Sequence, residues 1–571
     1  METDSHDEIA DFNKRCGQLN PHESAGWDAA CRRISPQFLV DLLINSRFRD
    51  QVQQHGVRLR GVDIVGKIDL ADAEIKPQLL IELSRIEGDA ILTDSHWARP
   101  LSVEGSTVTG NFFADGMRTD SVVLLGDHAL FEGEVDLPDA NVGSNLDMDN
   151  STFAKMVNGD SLTVDGSLFM GDATFRGDAI LRAAKVGSNL EMDRSTFAKT
   201  VDGDRLTVDG YLFMRDHATF SEDVILRAAK VGSNLEMDNS TFAKTVDGYR
   251  LTVDGSLFMR SGAGFKGEVD LTEAKVGSLL DLREAKAWTI DLSGAKAGEI
   301  QTGGLEWWCA DGKPLIGVSG VRLPLAKPGW QSARCEGSDV ASLPKFILRN
   351  FQVGAFQDSK DAWPPALDIE GFRYDSLGSF GSVASTDTLR RTSNEWTDWL
   401  ARDSDFSNQP YTQLSSVLTV AGYRDRAADV QIAGRERERQ EACKRGSEQL
   451  GTCAWLTTLS FVAGYGIGLH TFRVLWWIIF LTVLGAVVLC FSRKGRAHGI
   501  VWRIGASLHR LLPIVVLSRE FEDFFDNRST DLDSTLNLNR FQVGYFAVHA
   551  IAGWALGLIL LAAMSGLTQK G

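Results

Sequence analysis

The sequence lacks an excess of positive charge: 59 Lys and Arg residues oppose 76 Asp and Glu residues, for a formal net charge of −17. A nucleic-acid-binding protein needs a basic face to neutralise phosphates, so no nucleic-acid partner is expected. Proline is scarce (13 of 571 residues) whereas glycine is abundant (55), which suits many tight turns. A hydrophobic content of 43% favours a folded chain over a disordered one.

Cysteine occurs in an odd number and in no metal-binding arrangement. No CxxC pair and no histidine cluster is present, so no zinc or other metal site is predicted. We expect reduced, partly buried thiols in a cytosolic body, with a Cys309–Cys335 disulfide as the alternative. The seven residues are Cys16, Cys31, Cys309, Cys335, Cys443, Cys453 and Cys490.

The N-terminus has no hydrophobic run, because residues 1–10 are mostly polar and acidic. A secretory signal requires an apolar core behind a basic segment. We therefore expect the large N-terminal part of the chain to stay on the cytoplasmic side of any membrane.

The strongest positive signal is an internal repeat. The stretch that begins at Val142 returns at Val186 and Val231, and more loosely at Val276, with offsets of 44, 45 and 45 residues. Between these copies the sequence Leu-Thr-Val-Asp-Gly recurs, beginning at Leu162, Leu206 and Leu251. A fixed period of this kind predicts a repeat architecture.

Within the repeat, small or apolar residues pair two positions apart, which is the spacing of a β-strand with both side chains facing inward. The second members of the pairs lie at 164, 170, 175, 181, 186, 192 and 197, in steps of five or six. One 44-residue unit thus holds about eight sides, or two turns of a four-sided β-solenoid with about 22 residues per turn. Residues 57–300 would form about eleven coils.

The composition divides the chain into five segments. We predict a helical cap at 1–55, the solenoid at 56–300, an irregular capping extension with a final coil at 301–390, a helical juxtamembrane segment at 391–450 and a membrane region at 451–571. Ser35-Pro36 and Pro410 are typical helix starts, and Gly422 is a typical stop. Between 57 and 300, 41 acidic residues oppose 25 basic ones, so we expect an acidic solenoid surface. The apolar stripe of the cap is Phe38, Leu39, Leu42, Leu43 and Ile44.

Two apolar stretches, residues 472–491 and 543–567, are long enough to span the hydrocarbon core of a bilayer. Residues 500–517 contain Arg503 and Arg510 and fit an interfacial amphipathic helix better than a third span. Arg493, Lys494 and Arg496 favour a cytoplasmic loop after the first span, whereas a cytoplasmic solenoid puts that loop outside. We expect a multi-pass protein with the solenoid inside.

The pairing at five-residue steps resembles pentapeptide-repeat proteins, which form right-handed four-sided β-helices. Five further stretches resemble bacterial membrane-anchored proteins of this type: residues 34–39 and 56–61 at the start, residues 206–210 in the repeat core, and residues 409–414 and 464–466 in the C-terminal part. The resemblance implies a mainly β fold with helical caps and a C-terminal α-helical region in the bacterial inner membrane. Such proteins are often labelled membrane-associated oxidoreductases, although no motif here supports that chemistry.

Three motifs have a chemical and a structural interpretation. The GxGxxG string Gly262, Gly264 and Gly267 precedes another strand, so a turn is favoured over a dinucleotide loop, which must open a helix. Gly464, Gly466 and Gly468 favour close packing or a flexible membrane entry over a phosphate site or a channel filter. The last motif is the row Asp165, Asp209 and Asp254, interpreted as turn residues, with a calcium site as the alternative.

The charged run from Arg435 to Arg439 fits a solvated helix face, with a basic surface near anionic lipid as the alternative. No catalytic, cofactor-binding or metal-binding residue is assigned. The favoured function is a non-catalytic, membrane-anchored scaffold whose acidic solenoid binds an unknown protein partner. An oxidoreductase and an acidic rod that mimics DNA are the alternatives, and self-association is left open.

Overall fold

The computed structural model describes residues 9–52, 54–309, 335, 343–379, 386–492, 494–512, 517–526, 538 and 540–564. The chain divides into two compact units. The solenoid unit comprises Met1–Arg391 and Ala401–Asp405, and the helical unit comprises Thr392–Leu400 and Phe406–Gly571.

The solenoid unit is a parallel β-solenoid of about 13 turns. Its described strands form two sheets of 24 strands, and each sheet contains two columns of register-paired strands that we name by their outward residues. The lysine column is Glu74–Ile75, His96–Trp97, Arg118–Thr119, Asn141–Val142, Thr163–Val164, Lys185–Val186, Thr207–Val208, Lys230–Val231 and Thr252–Val253. The mixed column is Ala10–Asp11, Val57–Arg60, Leu79–Glu82, Leu101–Ser102, Val123–Leu124, Leu146–Asp147, Leu168–Phe169, Leu190–Glu191, Leu212–Phe213, Leu235–Glu236 and Leu257–Phe258.

The second sheet holds the other two columns. The threonine column is Arg33–Ile34, Asp63–Val65, Arg85–Glu87, Thr107–Val108, Leu130–Phe131, Thr152–Phe153, Thr174–Phe175, Thr196–Phe197, Thr219–Phe220 and Thr241–Phe242, and it ends at Glu306–Trp307. The aspartate column is Ile68–Asp69, Ala90–Ile91, Phe112–Phe113, Val135–Asp136, Val157–Asn158, Ala179–Ile180, Val201–Asp202, Val224–Ile225 and Val246–Asp247.

From residue 264 onward, strands lengthen until one strand serves two columns. Gly264–Asp270 and Lys286–Asp291 extend the threonine and aspartate columns, and Lys345–Ile347 and Ala366–Asp368 continue the aspartate column. The lysine and mixed columns continue together through Lys275–Asp281, Lys296–Gln301, Gln352–Gln357 and Arg373–Leu377. Strands therefore occur in the region predicted to be an irregular extension, and the expected final coil is part of the ladder.

The register confirms about 22 residues per turn. Thr174 pairs with Thr196, 22 residues later, whereas Thr196 pairs with Thr219 because the corner Asp216-His217 holds an extra residue with positive φ. The coil count exceeds the predicted eleven because ladder strands also lie inside the segments interpreted as caps.

A stack of buried phenylalanines forms one wall of the core. Neighbouring ring centroids are 4.7–5.1 Å apart and the rings lie within 8° of parallel. This spacing equals the distance between adjacent strands, so each coil buries the ring of the coil below. The stack is Phe131, Phe153, Phe175, Phe197, Phe220, Phe242 and Phe265.

Two alternating corner types explain why the sequence repeats every second coil. A Cβ on Gly187 would lie 2.3 Å from the carbonyl oxygen of Asp165. In the preceding coil, a Cβ on Gly166 would lie 2.2 Å from Oδ1 of Asn145, which accepts a hydrogen bond from the Ser167 amide at 2.9 Å. Gly-Ser-Asn and Asp-Gly corners therefore alternate, and the 44-residue unit is two coils.

Helices and strands share the N-terminal region. Helices Phe12–Cys16, Pro36–Ile44 and Ser46–Arg49 accompany the first strands. Pro36 occupies the first turn as predicted, but the Ser35 side chain makes no capping hydrogen bond. Of the predicted apolar stripe, Leu39 and Leu43 are buried, whereas Phe38 and Ile44 are exposed.

A buried polar cluster lies at the other end of the solenoid unit, beside the short helices Lys360–Ala362 and Thr386–Arg390. The Asp358 carboxylate accepts hydrogen bonds from Thr302 Oγ1 (2.9 Å), Trp363 Nε1 (2.7 Å) and Arg391 Nη1 (3.0 Å). Arg391 and Arg402 both lie against the Trp363 ring, at 5.0 and 5.2 Å from its centroid. Burial lowers the pKa of Arg402 to about 10. The cluster ties residues from several coils together.

The helical unit contains the predicted juxtamembrane helices and two long apolar helices. Gln409–Val420 begins one residue before Pro410, and Gly422 follows it with φ 90°. The other α-helices are Ser393–Leu400, Arg424–Lys444, Leu450–Ala463, Arg473–Cys490, Ile500–Leu511, Arg519–Asp526 and Arg540–Met564, with 3-10 turns at Gly446–Gln449, Gly464–Gly466, Gly468–Phe472 and Gly495–Ala497.

Six of the seven cysteines are paired, so the expectation of reduced thiols is wrong in this structure. Disulfides join Cys16 to Cys31, Cys309 to Cys335, and Cys443 to Cys453, whereas Cys490 is free. The partners are 15, 26 and 10 residues apart, and only the fold brings them together. The pair considered from the sequence, Cys309–Cys335, is one of the three.

Candidate interaction surface

The GxGxxG string forms a strand and a shallow cavity, which confirms that it does not open a helix. Gly264 begins the strand Gly264–Asp270 and Gly267 lies within it. The gap that Gly264 leaves in the threonine column opens a cavity of about 200 Å³, smaller than typical small-molecule pockets of roughly 300–1,000 Å³. Its lining residues are Thr241, Gly262, Gly264, Phe265, Lys266, Lys286 and Trp308.

The aspartates of the Asp-Gly corners do not form a common site. Asp165, Asp209 and Asp254 lie two coils apart, with Gly187 and Gly232 at the equivalent corner positions between them. Two strand spacings are about 10 Å, whereas calcium needs ligands at about 2.3–2.6 Å. The described residues contain no group of three His, Cys, Asp or Glu arranged to hold a metal ion. The turn interpretation agrees with this geometry.

The charged residues of the solenoid are sorted by column, which the sequence alone did not predict. The lysine column carries Lys185 and Lys230 two coils apart, followed by Lys275 and Lys296 in successive coils. All four side chains are exposed, and none has an ion-pair partner among the described residues. The intervening residues are Thr163, Thr207 and Thr252. The later coils of this column are therefore basic, in contrast to the expected acidic surface.

The aspartate column is most acidic in the three coils that carry Asp247, Asp270 and Asp291. Asp247, Asp270 and Asp291 follow one another in three successive coils, about 4.8 Å apart along the ladder. Arg227 pairs with Asp247 at 2.6 Å, but Asp270 and Asp291 form no ion pair with the described residues. The full outward row is Asp69, Ile91, Phe113, Asp136, Asn158, Ile180, Asp202, Ile225, Asp247, Asp270, Asp291, Ile347 and Asp368.

Neighbouring carboxylates raise the negative potential of this column further. Glu268 lies two residues before Asp270 on the same strand. Burial, followed by the charges of Asp270, Asp291 and Asp247, raises the pKa of Glu268. The column from Asp247 to Asp291 thus presents closely spaced carboxylates, whereas Asp368, further along the same column, is paired with Arg349 at 3.0 Å.

The mixed column alternates aromatic and acidic residues, and its charges neutralise one another. Arg215 covers the Phe213 ring at 4.1 Å from the centroid, and Arg260 covers Phe258 at 4.3 Å. Arg260 also binds Asp281 at 3.1 Å. Because these rings and carboxylates already have intramolecular partners, this column offers fewer free groups than the aspartate column.

Asp149, at the edge of the mixed column, lacks the arginine partner that the equivalent aspartates of later coils have. In later coils Asp193 pairs with Arg215, and Asp238 with Arg260, each 22 residues on. The residue 22 after Asp149 is Gly171, which donates only its amide. Burial, together with the charges of Asp147, Glu191 and Asp172, raises the pKa of Asp149 from 3.8 to about 6.

Gly464-Tyr465-Gly466 forms a tight turn with a charged partner. Tyr465 has φ 62°, a left-handed conformation, and its hydroxyl donates to Glu436 Oε2 at 2.8 Å. Arg439 also binds Glu436, at 2.5 Å, and this contact is the main reason that the pKa of Glu436 falls to about 2. A Cβ on Gly464 would lie 2.7 Å from the Cβ of His470, which agrees with the close-packing interpretation.

The charged run on the helix Arg424–Lys444 is internally paired. Arg435 binds Glu438 at 3.0 Å and Arg439 binds Glu436, both within the helix. Arg437 donates to the carbonyl oxygen of Leu400 at 3.0 Å. Its arginines therefore serve helix packing within the helical unit, which leaves less free positive charge for a lipid surface.

Two helices are long and apolar enough to cross a membrane by length and composition. Arg473–Cys490 has a mean hydropathy of 2.3 with 28% of the window buried, and Arg540–Leu561 has 1.8 with 22% buried. A core helix of a soluble protein would be mostly buried. Exposed side chains include Trp476, Ile479, Val483, Val548 and Ile551. The spans predicted at 472–491 and 543–567 coincide with these helices, although the last residues of the second lie outside the described part.

Glycines allow the helices of this segment to pack closely. A Cβ on Gly485 would lie 2.2 Å from Ser507 Oγ, and one on Gly553 would lie 1.7 Å from the Leu511 carbonyl oxygen. Ser507 and Leu511 belong to Ile500–Leu511, the helix predicted to be interfacial. This helix also exposes Ile500, Val501 and Ile504, so it has one packed and one exposed apolar face. Residues 513–516 of the predicted segment lie outside the described residues.

No protein-family model, curated protein or solved structure matches the chain at a significant level. The similarity to membrane-anchored pentapeptide-repeat-like proteins therefore rests on the quoted motifs, while the solenoid rests on its observed ladder.

Proposed function

We propose that the protein is a membrane-anchored scaffold whose aspartate column binds a partner protein. In this proposal each column is one side of a right-handed, four-sided coil of the pentapeptide-repeat type. The supporting observation is the succession of Asp247, Asp270 and Asp291 on consecutive coils. These carboxylates belong to a continuous backbone ladder, so their spacing is fixed before a partner binds, which lowers the ordering cost of association.

The partner surface that fits this column is basic and elongated. Arginine or lysine side chains at a spacing of about 4.8 Å, or twice that, match the repeat of the column. Ile180 and Ile225 interrupt the acidic row, so apolar contacts are available between the charges. Such an arrangement favours specificity and fast association more than high affinity.

The anchoring part of the proposal assigns Arg473–Cys490 and Arg540–Met564 to a bilayer, in a multi-pass protein of a bacterial inner membrane. Support comes from their hydropathy and their low burial within the chain. The glycine contacts at Gly485 and Gly553 are also typical of helices that pack in lipid, where small residues let backbones approach.

Site-specific photo-crosslinking in living cells tests the binding surface. A photoreactive amino acid replaces Ile225 in the aspartate column or, as a matched position in a neighbouring column, Thr219. We expect a discrete adduct from position 225 that disappears when Asp202, Asp247, Asp270 and Asp291 are changed to Asn. Equal adducts from both positions, or an adduct that survives the four substitutions, would contradict the proposal.

A second variant separates loss of binding from loss of folding. Lys185→Gln, Lys230→Gln, Lys275→Gln and Lys296→Gln neutralise the same number of charges on the lysine column. We expect the position 225 adduct to persist in this variant. An adduct consisting of two copies of this chain would identify the partner as a second protomer.

A further inference from the structure

We infer that the solenoid faces an oxidising compartment outside the cytoplasm, so the partner of the aspartate column is an extracytoplasmic protein. The inference rests on the membrane anchoring proposed above. It reverses the sequence-based expectation of a cytoplasmic solenoid, which depended on finding no secretory signal in residues 1–10. Two independent observations support it: where the paired cysteines lie along the chain, and where the charges lie around the apolar helices.

All paired cysteines precede the first apolar helix. Cys16–Cys31 and Cys309–Cys335 belong to the solenoid unit, and Cys443–Cys453 lies before Arg473 in the helical unit. Disulfides persist in oxidising compartments and are rare in the cytosol, where thiols are kept reduced. Three pairs from six cysteines therefore favour an oxidising environment for the chain before residue 473.

The unpaired cysteine lies at the opposite end of that helix. Cys490 is the last residue of Arg473–Cys490. If this helix crosses the bilayer, Cys490 lies on the side opposite the six paired residues. A single crossing thus separates the paired cysteines from the free one, as expected if the first group faces the oxidising side.

The basic residues around the helices give the same orientation. Lys and Arg near span ends favour the cytoplasmic side, and only those within about 15–20 residues of a span carry weight. Residues 453–472, before the first apolar helix, contain no Lys or Arg, and Arg473 is the one basic residue at this end of the helix. Only Lys570 follows the second apolar helix. In contrast, the loop between the helices begins with Arg493, Lys494, Arg496, Arg503 and Arg510, so the loop is placed in the cytoplasm and both termini on the other side.

Thiol trapping on the full-length protein in its native membrane tests the redox part of the inference. Cells are quenched in acid, and free thiols are then alkylated with a maleimide that carries a mass tag, with or without prior reduction. We expect one tag per chain without reduction, lost in Cys490→Ser, and seven tags after reduction. Seven tags without reduction would overturn the inference.

Protease treatment of spheroplasts tests the orientation separately. The full-length chain carries an epitope at residue 571, and a cytosolic protein serves as the control for intact membranes. We expect external protease to remove both the solenoid and the epitope while the cytosolic control survives. A protected solenoid would overturn the inference but would leave the binding role of the aspartate column to its own crosslinking test, because adducts at position 225 do not depend on the compartment.

Discussion

The solenoid unit and the helical unit differ in how far their apolar side chains are buried. In the solenoid, Phe197 and its neighbours are at most 2% exposed because each coil covers the next. In the helical unit, Trp476 is 73% exposed and Ile551 is 68% exposed on helices of high hydropathy. The described part of the solenoid unit covers its own apolar core, whereas the helical unit exposes an apolar surface that lipid would cover. The proposed function accordingly gives recognition to the solenoid unit and anchoring to the helical unit.

The largest expected loss of stability comes from a cavity in the phenylalanine stack of the solenoid unit. Phe197→Ala removes a fully buried ring between Phe175 and Phe220, so we expect a loss of about 3–5 kcal/mol in the free energy of unfolding. Chemical unfolding followed by circular dichroism measures it. Phe213→Ala is the control, since this ring lies on the outer surface of the mixed column. Equal losses for both variants would contradict the assignment of inner and outer faces.

A charge placed in an apolar helix tests whether lipid covers the exposed surface of the helical unit. Val483→Arg places a guanidinium near the middle of Arg473–Cys490, where Val483 is 52% exposed. If lipid covers this position, we expect insertion of this helix to be disfavoured by about 3 kcal/mol, so that alkaline carbonate extracts a larger fraction of the protein although Arg540–Met564 still anchors it. Thr219→Arg in the solenoid is the control and should leave the protein in the membrane. An unchanged extracted fraction for the Val483 variant would argue against a span here.

Alanine substitutions at corner glycines test why the sequence repeats every two coils. Gly187→Ala forces a Cβ to within 2.3 Å of a backbone oxygen that cannot move alone, so we expect a loss of about 1–3 kcal/mol. Gly264→Ala is the matched control, because no atom lies within 4 Å of its Cβ position. Thermal unfolding of the two variants should differ clearly, and an equal response would contradict the close approach at the corner.

The smallest expected effect is a change in the way stability depends on pH. The folded-state pKa of Asp149, about 6, exceeds the ordinary value of 3.8, so the folded state binds this proton more tightly than the unfolded state. Its contribution to stability is present at low pH and is lost as pH rises through about 6. Asp149→Asn should remove this dependence and raise stability at pH 7 by less than about 1 kcal/mol, because the group is half exposed and screened.

Asp238→Asn is the control for the pH prediction. It removes an ion pair with Arg260 at 3.2 Å, so stability at pH 7 should fall or stay constant. Urea unfolding at several pH values compares the variants. A gain of stability in both, or an unchanged pH profile in Asp149→Asn, would contradict the role assigned to Asp149.

The repeat was predictable because its signal is local. The pairs two residues apart and the offsets of 44 and 45 residues follow directly from the inward faces of short strands, and they predicted the solenoid and its 22-residue turn. The two apolar helices were predicted from the length of their hydrophobic runs. The positions of Pro36, Pro410 and Gly422 were equally informative, because helix ends depend on a few adjacent residues.

The missed features depend on contacts between distant residues. Cys309 and Cys335 are 26 residues apart in sequence, and no local pattern marks them as a pair. The lysine and aspartate columns also escaped prediction, although the recurrence of Lys185, Lys230 and Lys275 at offsets of 45 residues was a usable signal. Asp149 has Gly171 at the position 22 residues later where Asp193 has Arg215, a difference that becomes meaningful once the register is known.

The central claim is that the protein acts through its surface and not through a bound redox cofactor. The most direct measurement is an absorption and fluorescence spectrum of the detergent-solubilised, full-length protein, followed by mass spectrometry of any released small molecule. We expect no flavin or nicotinamide in stoichiometric amount. A flavin or nicotinamide near one per chain would contradict it and would favour an oxidoreductase.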